Sequence, residues 1–382
     1  MLLVFGTRPE AIKMAPLVKE FMQYPDFFIT KVCVTAQHRQ MLDQVLAIFE
    51  IKPDYDLNIM SHHQDLYDVT AKVLLKMREV LDDFLPDLVL VHGDTTTSIA
   101  SAIASFYKQI TVGHVEAGLR THDMYNPWPE EMNRLLISRI AQYNFCPTVK
   151  NKQNLLDEKI DESKIIVTGN TVIDALQMAT NIIGAQENFK TQLQNIIISK
   201  GLSNGLLESW EFYSRKMILI TGHRRENFGA GFLNVCNAIK TLSKLFPGVD
   251  FVYPVHLNPN VQKPVHKLLK NIDNIHLLPP LDYLPFILLM QYSYLILTDS
   301  GGVQEEAPGL GKPVLVMRHT TERPEAVEAG TVRLVGTNAD SIISNVSRLI
   351  NSEDEYNAMS KSVNPYGDGE ASWRIVEFLK HI

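Results

Sequence analysis

The side chains best suited to proton transfer are two carboxylates, Asp94 and Glu116. Each closes an apolar run beside glycine, in Val91-His92-Gly93-Asp94 and in Val112-Gly113-His114-Val115-Glu116-Ala117-Gly118. In open parallel sheets, ligands bind outside the carboxyl ends of the strands, and neighbouring strands lie about 4.8 Å apart. If these consecutive strands are neighbours, Asp94 and Glu116 face one small ligand as a general acid and a general base. Each also has a plain structural reading: Asp94 as a helix cap before Thr95-Thr96-Thr97, and Glu116 as the partner of Arg120. A third carboxylate, Glu130, enters a helix in Asn126-Pro127-Trp128-Pro129-Glu130-Glu131, where it either complements the helix dipole or joins the chemistry.

Other candidates suit an anion. Gly6-Thr7-Arg8-Pro9-Glu10 opens a helix, with Arg8 and Lys13 near its positive end. The segment is not G-x-G-x-x-G, so a dinucleotide cofactor has no support, and no cofactor or metal is expected. Thr221-Gly222-His223-Arg224-Arg225-Glu226-Asn227 follows another apolar run and reads as a cationic loop for a diphosphate. His256 ends a further run, where a lone histidine is more often structural. In Thr298-Asp299-Ser300-Gly301-Gly302-Val303-Gln304-Glu305-Glu306, Ser300 is a candidate cap, and Gly301 and Gly302 expose backbone N–H groups at a helix start. That is a phosphate cradle. Glu306 lies one helical turn deeper on the same face and would accept ribose hydroxyls. Arg323 would add a cation after the next strand.

The elements that must position these groups alternate from end to end. Short apolar runs at Leu2–Phe5, Ile29–Val34, Leu88–His92, Thr111–Val115, Asn144–Cys146 and Ile165–Thr168 read as strands, separated by helical spacings. A matching set runs through Met217–Thr221, Asp250–Tyr253, Asn274–Leu278, Tyr294–Leu297, Pro313–Val316 and Thr331–Leu334. Such alternation predicts α/β architecture with parallel sheets covered on both faces. The expected boundary lies near Gly169-Asn170, giving residues 1–168 and 169–365 as two domains, with 366–382 returning to the first as a turn and a closing helix. Residues 186–215 are the least regular stretch and read as a surface excursion.

Composition narrows the function classes. Hydrophobic residues at 45% suit a globular protein, and a net charge of −7 argues against a broad nucleic-acid surface. No run of about 20 apolar residues is present to span a membrane. Three scattered cysteines form no disulfide or metal pattern and suit a reducing, cytoplasmic compartment. The opening Met1-Leu2-Leu3-Val4-Phe5 reads as a strand, being too short for a signal-peptide core.

Taken together, these motifs resemble the non-hydrolysing UDP-N-acetylglucosamine 2-epimerase family. The resemblance runs from Phe5-Gly6-Thr7-Arg8-Pro9-Glu10-Ala11-Ile12-Lys13 through Gly222–Asn227 and Ser300–Pro308 to Asn364-Pro365-Tyr366-Gly367-Asp368-Gly369. It implies a glycosyltransferase-B type fold, two Rossmann-like doubly wound domains facing across a cleft, and a homodimer. It also implies reversible conversion of UDP-N-acetylglucosamine to UDP-N-acetylmannosamine for surface-polysaccharide precursors. By that resemblance the catalytic positions are Asp94, Glu116, Glu130 and His223. Substrate contacts are Arg8, Lys13, Phe286, Ser300, Gly301, Gly302, Glu306 and Arg323. Gln37, Gln40, Glu130, Arg224 and His256 match an activator site for a second nucleotide sugar, in which His63 replaces a common Arg. Leu281 replaces a frequent Gln. A hydrolysing epimerase and a glycosyltransferase of the same fold are the alternative readings.

Overall fold

A computed structural model of the chain describes residues 1–36, 39–61, 64–185 and 187–382, so the expectations placed on Gln37 and His63 lie outside the described residues. Runs such as Leu2-Leu3-Val4-Phe5 and Leu88-Val89-Leu90-Val91-His92 have every residue buried. Without an exposed face they fit only the middle of a sheet covered on both sides. The chain divides into two compact units, Met1–Ala175 with Tyr366–Ile382, and Leu176–Pro365. The division falls inside the helix Thr171–Ala185, not ahead of it at Gly169-Asn170.

The first unit holds β1 (Leu2–Phe5), β2 (Lys31–Val34), β3 (Tyr55–Asp56), β4 (Leu88–His92), β5 (Thr111–Val115), β6 (Tyr143–Cys146) and β7 (Ile165–Val167). They pair in the order β3-β2-β1-β4-β5-β6-β7, all parallel. The two-residue β3 is the strand that apolar patterning missed, because Tyr55 and Asp56 are not fully buried and show no run. One face of the sheet packs Leu2, Val4, Val89 and Val91 against Val69, Val73 and Met77 of the helix Leu66–Phe84 and Ala100 and Ala104 of the helix Thr96–Tyr107. Each large apolar side chain buried this way contributes about 1.5–3 kcal/mol. The terminal helix Ala371–Leu379 belongs to this unit, where Phe378 meets Tyr143 and Phe145 edge-on.

The second unit holds β8 (Lys216–Thr221), β9 (Val249–Pro254), β10 (Ile275–Leu278), β11 (Leu295–Thr298), β12 (Val314–Val316) and β13 (Val332–Leu334). Their order, β10-β9-β8-β11-β12-β13, is again fully parallel and repeats the winding of the first six strands. Each unit is thus a Rossmann-like, doubly wound sheet, reversing direction between β1 and β4 and between β8 and β11.

The stretch expected to be irregular is instead two helices, Glu187–Ser199 and Asn204–Glu211. Leu193 and Ile197, four apart, are buried with Leu207 and Trp210, so one face packs down while the polar residues stay outside. Trp210 Nε1 donates to Asp250 Oδ2 at 2.8 Å, and Arg215 donates twice to the same carboxylate at 2.8 and 2.7 Å. Burial alone would raise the proton affinity of Asp250. Arg215, His276 and Trp210 outweigh it and hold the group well below the usual carboxylate range.

Candidate active site

In the first unit the reactive groups gather at the carboxyl ends of β1, β4 and β5. β4 and β5 are direct neighbours, with His92 opposite Val115 in register. The adjacency assumed for their carboxylates therefore exists. Glu116 follows β5 at once with φ +64°, a left-handed conformation that costs a non-glycine residue about 1–3 kcal/mol. Its Oε2 accepts from Lys13 Nζ and, at 2.9 Å, from Asn170 Nδ2. His92 Nε2 lies 3.8 Å from the same oxygen. Arg120 is turned elsewhere, onto Glu158 at 2.7 and 3.0 Å and Ser138 at 3.0 Å. The ion pair with Arg120 is thus replaced by one with Lys13, brought in from the helix Arg8–Met22.

Asp94 caps nothing. Thr95 is the cap, its hydroxyl accepting from Ser98 N at 3.1 Å. The Asp94 carboxylate takes Arg134 Nε at 2.9 Å and Nη2 at 2.6 Å, while its backbone carbonyl accepts from Asn133 Nδ2 at 2.8 Å. Arg134 also donates to Glu131 at 2.9 Å, and buried Glu131 accepts from the N–H groups of Thr121 and His122 at 3.0 Å each. Arg134, held by Glu131, is the partner of Asp94 that sequence reasoning passed over. The i, i+3 spacing of Glu131 and Arg134 was the available signal. Glu130, beside them, is half-buried and makes no hydrogen bond or ion pair among the described residues.

Glu10 does more than complement a helix end. Its buried carboxylate accepts from Gly6 N at 3.1 Å, Thr7 N at 2.8 Å, Thr95 Oγ1 at 2.6 Å and Ser98 Oγ at 3.0 Å. It clamps the turn after β1 to the helix after β4, across the switch point. Burial pushes its carboxyl above the ordinary range despite those donors. Arg8 stands half-buried in the first turn of its helix. Burial also keeps two histidines neutral: His92 is pushed down to about 4 and His114 to about 3.

The second unit repeats the plan at the ends of β8 and β11. Asp299 is fully buried and accepts from His223 N at 2.9 Å, Arg224 N at 2.9 Å and Asn227 Nδ2 at 3.2 Å. This carboxylate shapes the His223 loop. His223 Nδ1 lies 3.3 Å from Asp299 Oδ1, and its ring stacks on His256 at 5.5 Å. Burial lowers the proton affinity of His223, and Asp299 only partly restores it. His256 is thus a stacking partner of His223.

Carboxylates pair with Arg224 of the expected cationic loop and with the arginines beside it. Glu322 accepts from Arg323 at 2.6 Å, Arg318 at 2.7 Å and Arg224 at 3.4 Å, while Arg318 also pairs with Glu226 and Arg323 with Glu305, both at 2.7 Å. Burial would raise the Glu322 carboxyl. Arg323 and Arg318 outweigh it and hold the group far below the carboxylate range. Ser300 occupies the cap position of the helix Gly301–Gly309, but its side chain makes no capping bond. A Cβ at Gly301 would lie 2.6 Å from Arg323 Nη1, so any side chain there would displace the guanidinium. At Gly302 the nearest neighbour of such a Cβ is Glu306 Oε2 at 3.8 Å. Tyr283 OH donates to Glu306 Oε1 at 3.2 Å.

A family model described as UDP-N-acetylglucosamine 2-epimerase matches residues 21–380. The chain belongs to this family. It is 57% identical over 379 residues to the UDP-N-acetylglucosamine 2-epimerase of Campylobacter jejuni, covering 99% of this chain and 97% of that one. It resembles the crystal structure of the Neisseria meningitidis UDP-GlcNAc 2-epimerase bound to UDP-GlcNAc, with a TM-score of 0.90, 52% identity and coverage of 100% and 99%. The Methanocaldococcus jannaschii UDP-GlcNAc 2-epimerase in complex with UDP-GlcNAc and UDP is similar at a TM-score of 0.79 and 33% identity, with the same coverages. The fold is the glycosyltransferase-B type of this epimerase family, with one Rossmann-like sheet per unit.

Within the family pattern, Phe286 is half-buried on the helix Tyr283–Tyr292, and Leu281 is buried just before it. Of the residues matched to an activator site, Gln40 is exposed on the helix Arg39–Ile48 of the first unit, while Arg224 and His256 lie in the second.

Proposed function

We propose that the chain interconverts UDP-N-acetylglucosamine and UDP-N-acetylmannosamine by eliminating UDP and adding it back. The observation that carries this reading is the pair of carboxylates at the ends of adjacent parallel strands, Asp94 after β4 and Glu116 after β5, in a chain of the epimerase family.

Carbon 2 of an acetamido sugar has no adjacent carbonyl to acidify its hydrogen. A leaving group at carbon 1 supplies the route. A carboxylate takes the carbon 2 proton, the C–H electron pair forms a double bond between carbons 1 and 2, and the carbon–oxygen bond pair leaves with UDP. UDP then adds back to the glycal as a proton arrives on the opposite face. The sum is neutral and needs no oxidant or reductant.

Glu116 and Asp94 divide the two proton transfers, with Glu130 assisting, and each contact of this kind is worth about 10²–10⁴-fold. Lys13 pairs with Glu116 and Arg134 with Asp94, which aims the two carboxylates. Arg8, His223 and the backbone N–H groups of Ser300, Gly301 and Gly302 stabilise the departing diphosphate. Phe286, Glu306 and Arg323 complete the contacts to the nucleotide. Gln40, Glu130, Arg224 and His256 remain the described members of an activator site.

Turnover in heavy water tests the scheme. Deuterium should enter carbon 2 of both sugars with UDP-N-acetylglucosamine as the only addition. Turnover with carbon 2 still carrying protium would overturn it, and release of free N-acetylmannosamine would place the chain with the hydrolysing enzymes. The setting we propose is the cytoplasm, supplying precursors for surface polysaccharide. Cys33, Cys146 and Cys236 are buried and unpaired, as a reducing compartment favours. No helix among the described residues is long and apolar enough to cross a membrane. We also propose a homodimer, on the strength of the family resemblance, and a sedimentation-equilibrium mass of twice the chain's tests it.

A further inference from the structure

His92 closes β4 with its ring buried, and its Nε2 has no hydrogen-bond partner among the described residues. Leaving a buried polar nitrogen unsatisfied is costly, so its presence calls for a physical reason. The nearest complement is the carboxylate of Glu116, whose Oε2 lies 3.8 Å away. A closing movement of about 1 Å makes that a hydrogen bond.

The other ring nitrogen turns back to the residue's own backbone carbonyl, and burial keeps the ring neutral, with its proton affinity pushed down to about 4. A neutral ring with its proton on Nδ1 presents a bare lone pair at Nε2. Facing a carboxylate, that lone pair is unsatisfied. Facing a carboxylic acid, it accepts the O–H. Lys13 reaches the same oxygen with the opposite preference, since an ammonium group complements the ionised form. Asn170 Nδ2 donates to that oxygen as well, at 2.9 Å, so Oε2 has two donors that suit the ionised form and one neighbour, His92 Nε2, that suits the acid. The other charged or titratable groups nearby do not compete for Nε2. Asp94 is held by Arg134, and His114 is neutral and bonded through its Nε2 to the Gly93 carbonyl at 2.7 Å.

Building on the elimination scheme above, we propose that His92 is a positioning residue for Glu116: its Nε2 accepts a hydrogen bond from the carboxylic acid formed when Glu116 takes the carbon 2 proton. The proton stays on Oε2 throughout, and the imidazole gains none. His92 steadies the acid until its proton is returned or exchanged with solvent, while Lys13 steadies the carboxylate before and after.

The tautomer is the most direct test. In the wild-type protein labelled with ¹⁵N at histidine, the His92 resonances should show Nδ1 protonated and Nε2 bare at neutral pH. A proton on Nε2 would overturn the assignment.

Kinetics supply the second arm. His92→Phe keeps a planar ring without the acceptor, and should lower kcat roughly 3- to 30-fold while KM stays within about twofold. An acceptor favours the acid form, so removing it lets Glu116 protonate only at lower pH. The acid limb of the kcat profile should therefore move down by about half a unit to one unit. His92→Gln, with a carbonyl acceptor of similar reach, should recover kcat to within about threefold of wild type. A wild-type profile for His92→Phe, a loss confined to KM, or a Gln variant as slow as the Phe variant each sinks the proposal. If His92→Phe does not fold, the tautomer and the Gln variant still decide. Deuterium entry at carbon 2 in the wild type tests the elimination scheme separately: exchange beside an unmoved His92→Phe profile removes only the role of His92.

Discussion

Glu116 shows how much a single position can ask of its surroundings. It sits in a left-handed backbone conformation, ion-paired to Lys13, bonded by Asn170 and flanked by His92. Glycine would fit that backbone with less strain, and glycine has no carboxylate. The strain is tolerated because the packing around it is over-determined. Glu116→Gln keeps the shape and removes the base. It should lower kcat about 10²–10⁴-fold while thermal unfolding shifts by only a few degrees. A Gln variant retaining more than about a tenth of wild-type kcat would exclude Glu116 from proton transfer. The same economy governs Gly301, whose missing side chain leaves room for the Arg323 guanidinium between Glu305 and Glu322.

At the scale of elements, each sheet delivers its reactive residues by register. β4 and β5 run side by side, so one residue beyond Val115 and two beyond His92 emerge at the same edge. β8 and β11 do the same for the His223 loop and the Ser300 turn, with Asp299 bonded to both backbone and side chain of that loop. The helices Glu187–Ser199 and Asn204–Glu211 serve a different end. They are fixed through Trp210 to Asp250, at the start of β9 and away from the strand ends that carry chemistry. Trp210→Phe deletes the indole donor and part of a buried ring. It should cost about 1–3 kcal/mol in urea unfolding and leave kcat unchanged. Unchanged stability would mean that these helices are not anchored through this contact.

At the scale of the molecule, the chain builds the same winding twice and then returns. Asp174 of the first unit accepts from the backbone N–H groups of Ala371 and Ser372 at 3.3 and 2.7 Å, capping the terminal helix. Stability against acid is also a property of the whole chain. His92 and His114 protonate near 6.5 when unfolded, and only near 4 and 3 when folded. Between those values the unfolded state binds more protons, so stability falls as pH descends, by at most about 1.4 kcal/mol per unit for each histidine. Glu10 and Asp174, whose buried carboxyls are shifted upward, oppose this in the lower part of the window. The difference between wild type and His114→Asn isolates one histidine. The variant should be less stable at pH 7, yet lose Tm less steeply between pH 6.5 and 4.5. Parallel slopes would show that His114 is not held neutral.

The sequence by itself determined the α/β alternation, every strand but β3, the ends at which chemistry collects and the family, because each depends on local apolar patterning or on side chains set directly beside a strand. It left open who pairs with whom. Lys13 lies 103 residues from Glu116, Arg134 lies 40 from Asp94, and Asp299 lies 76 from His223. Charge attraction has no memory of chain distance, so only the folded sheet decides which cation meets which carboxylate. Nearby candidates such as Glu116 with Arg120 therefore lost to distant ones. The helices in 187–211 were hidden for a related reason: their apolar face is short, and it becomes meaningful only against the buried surface it covers.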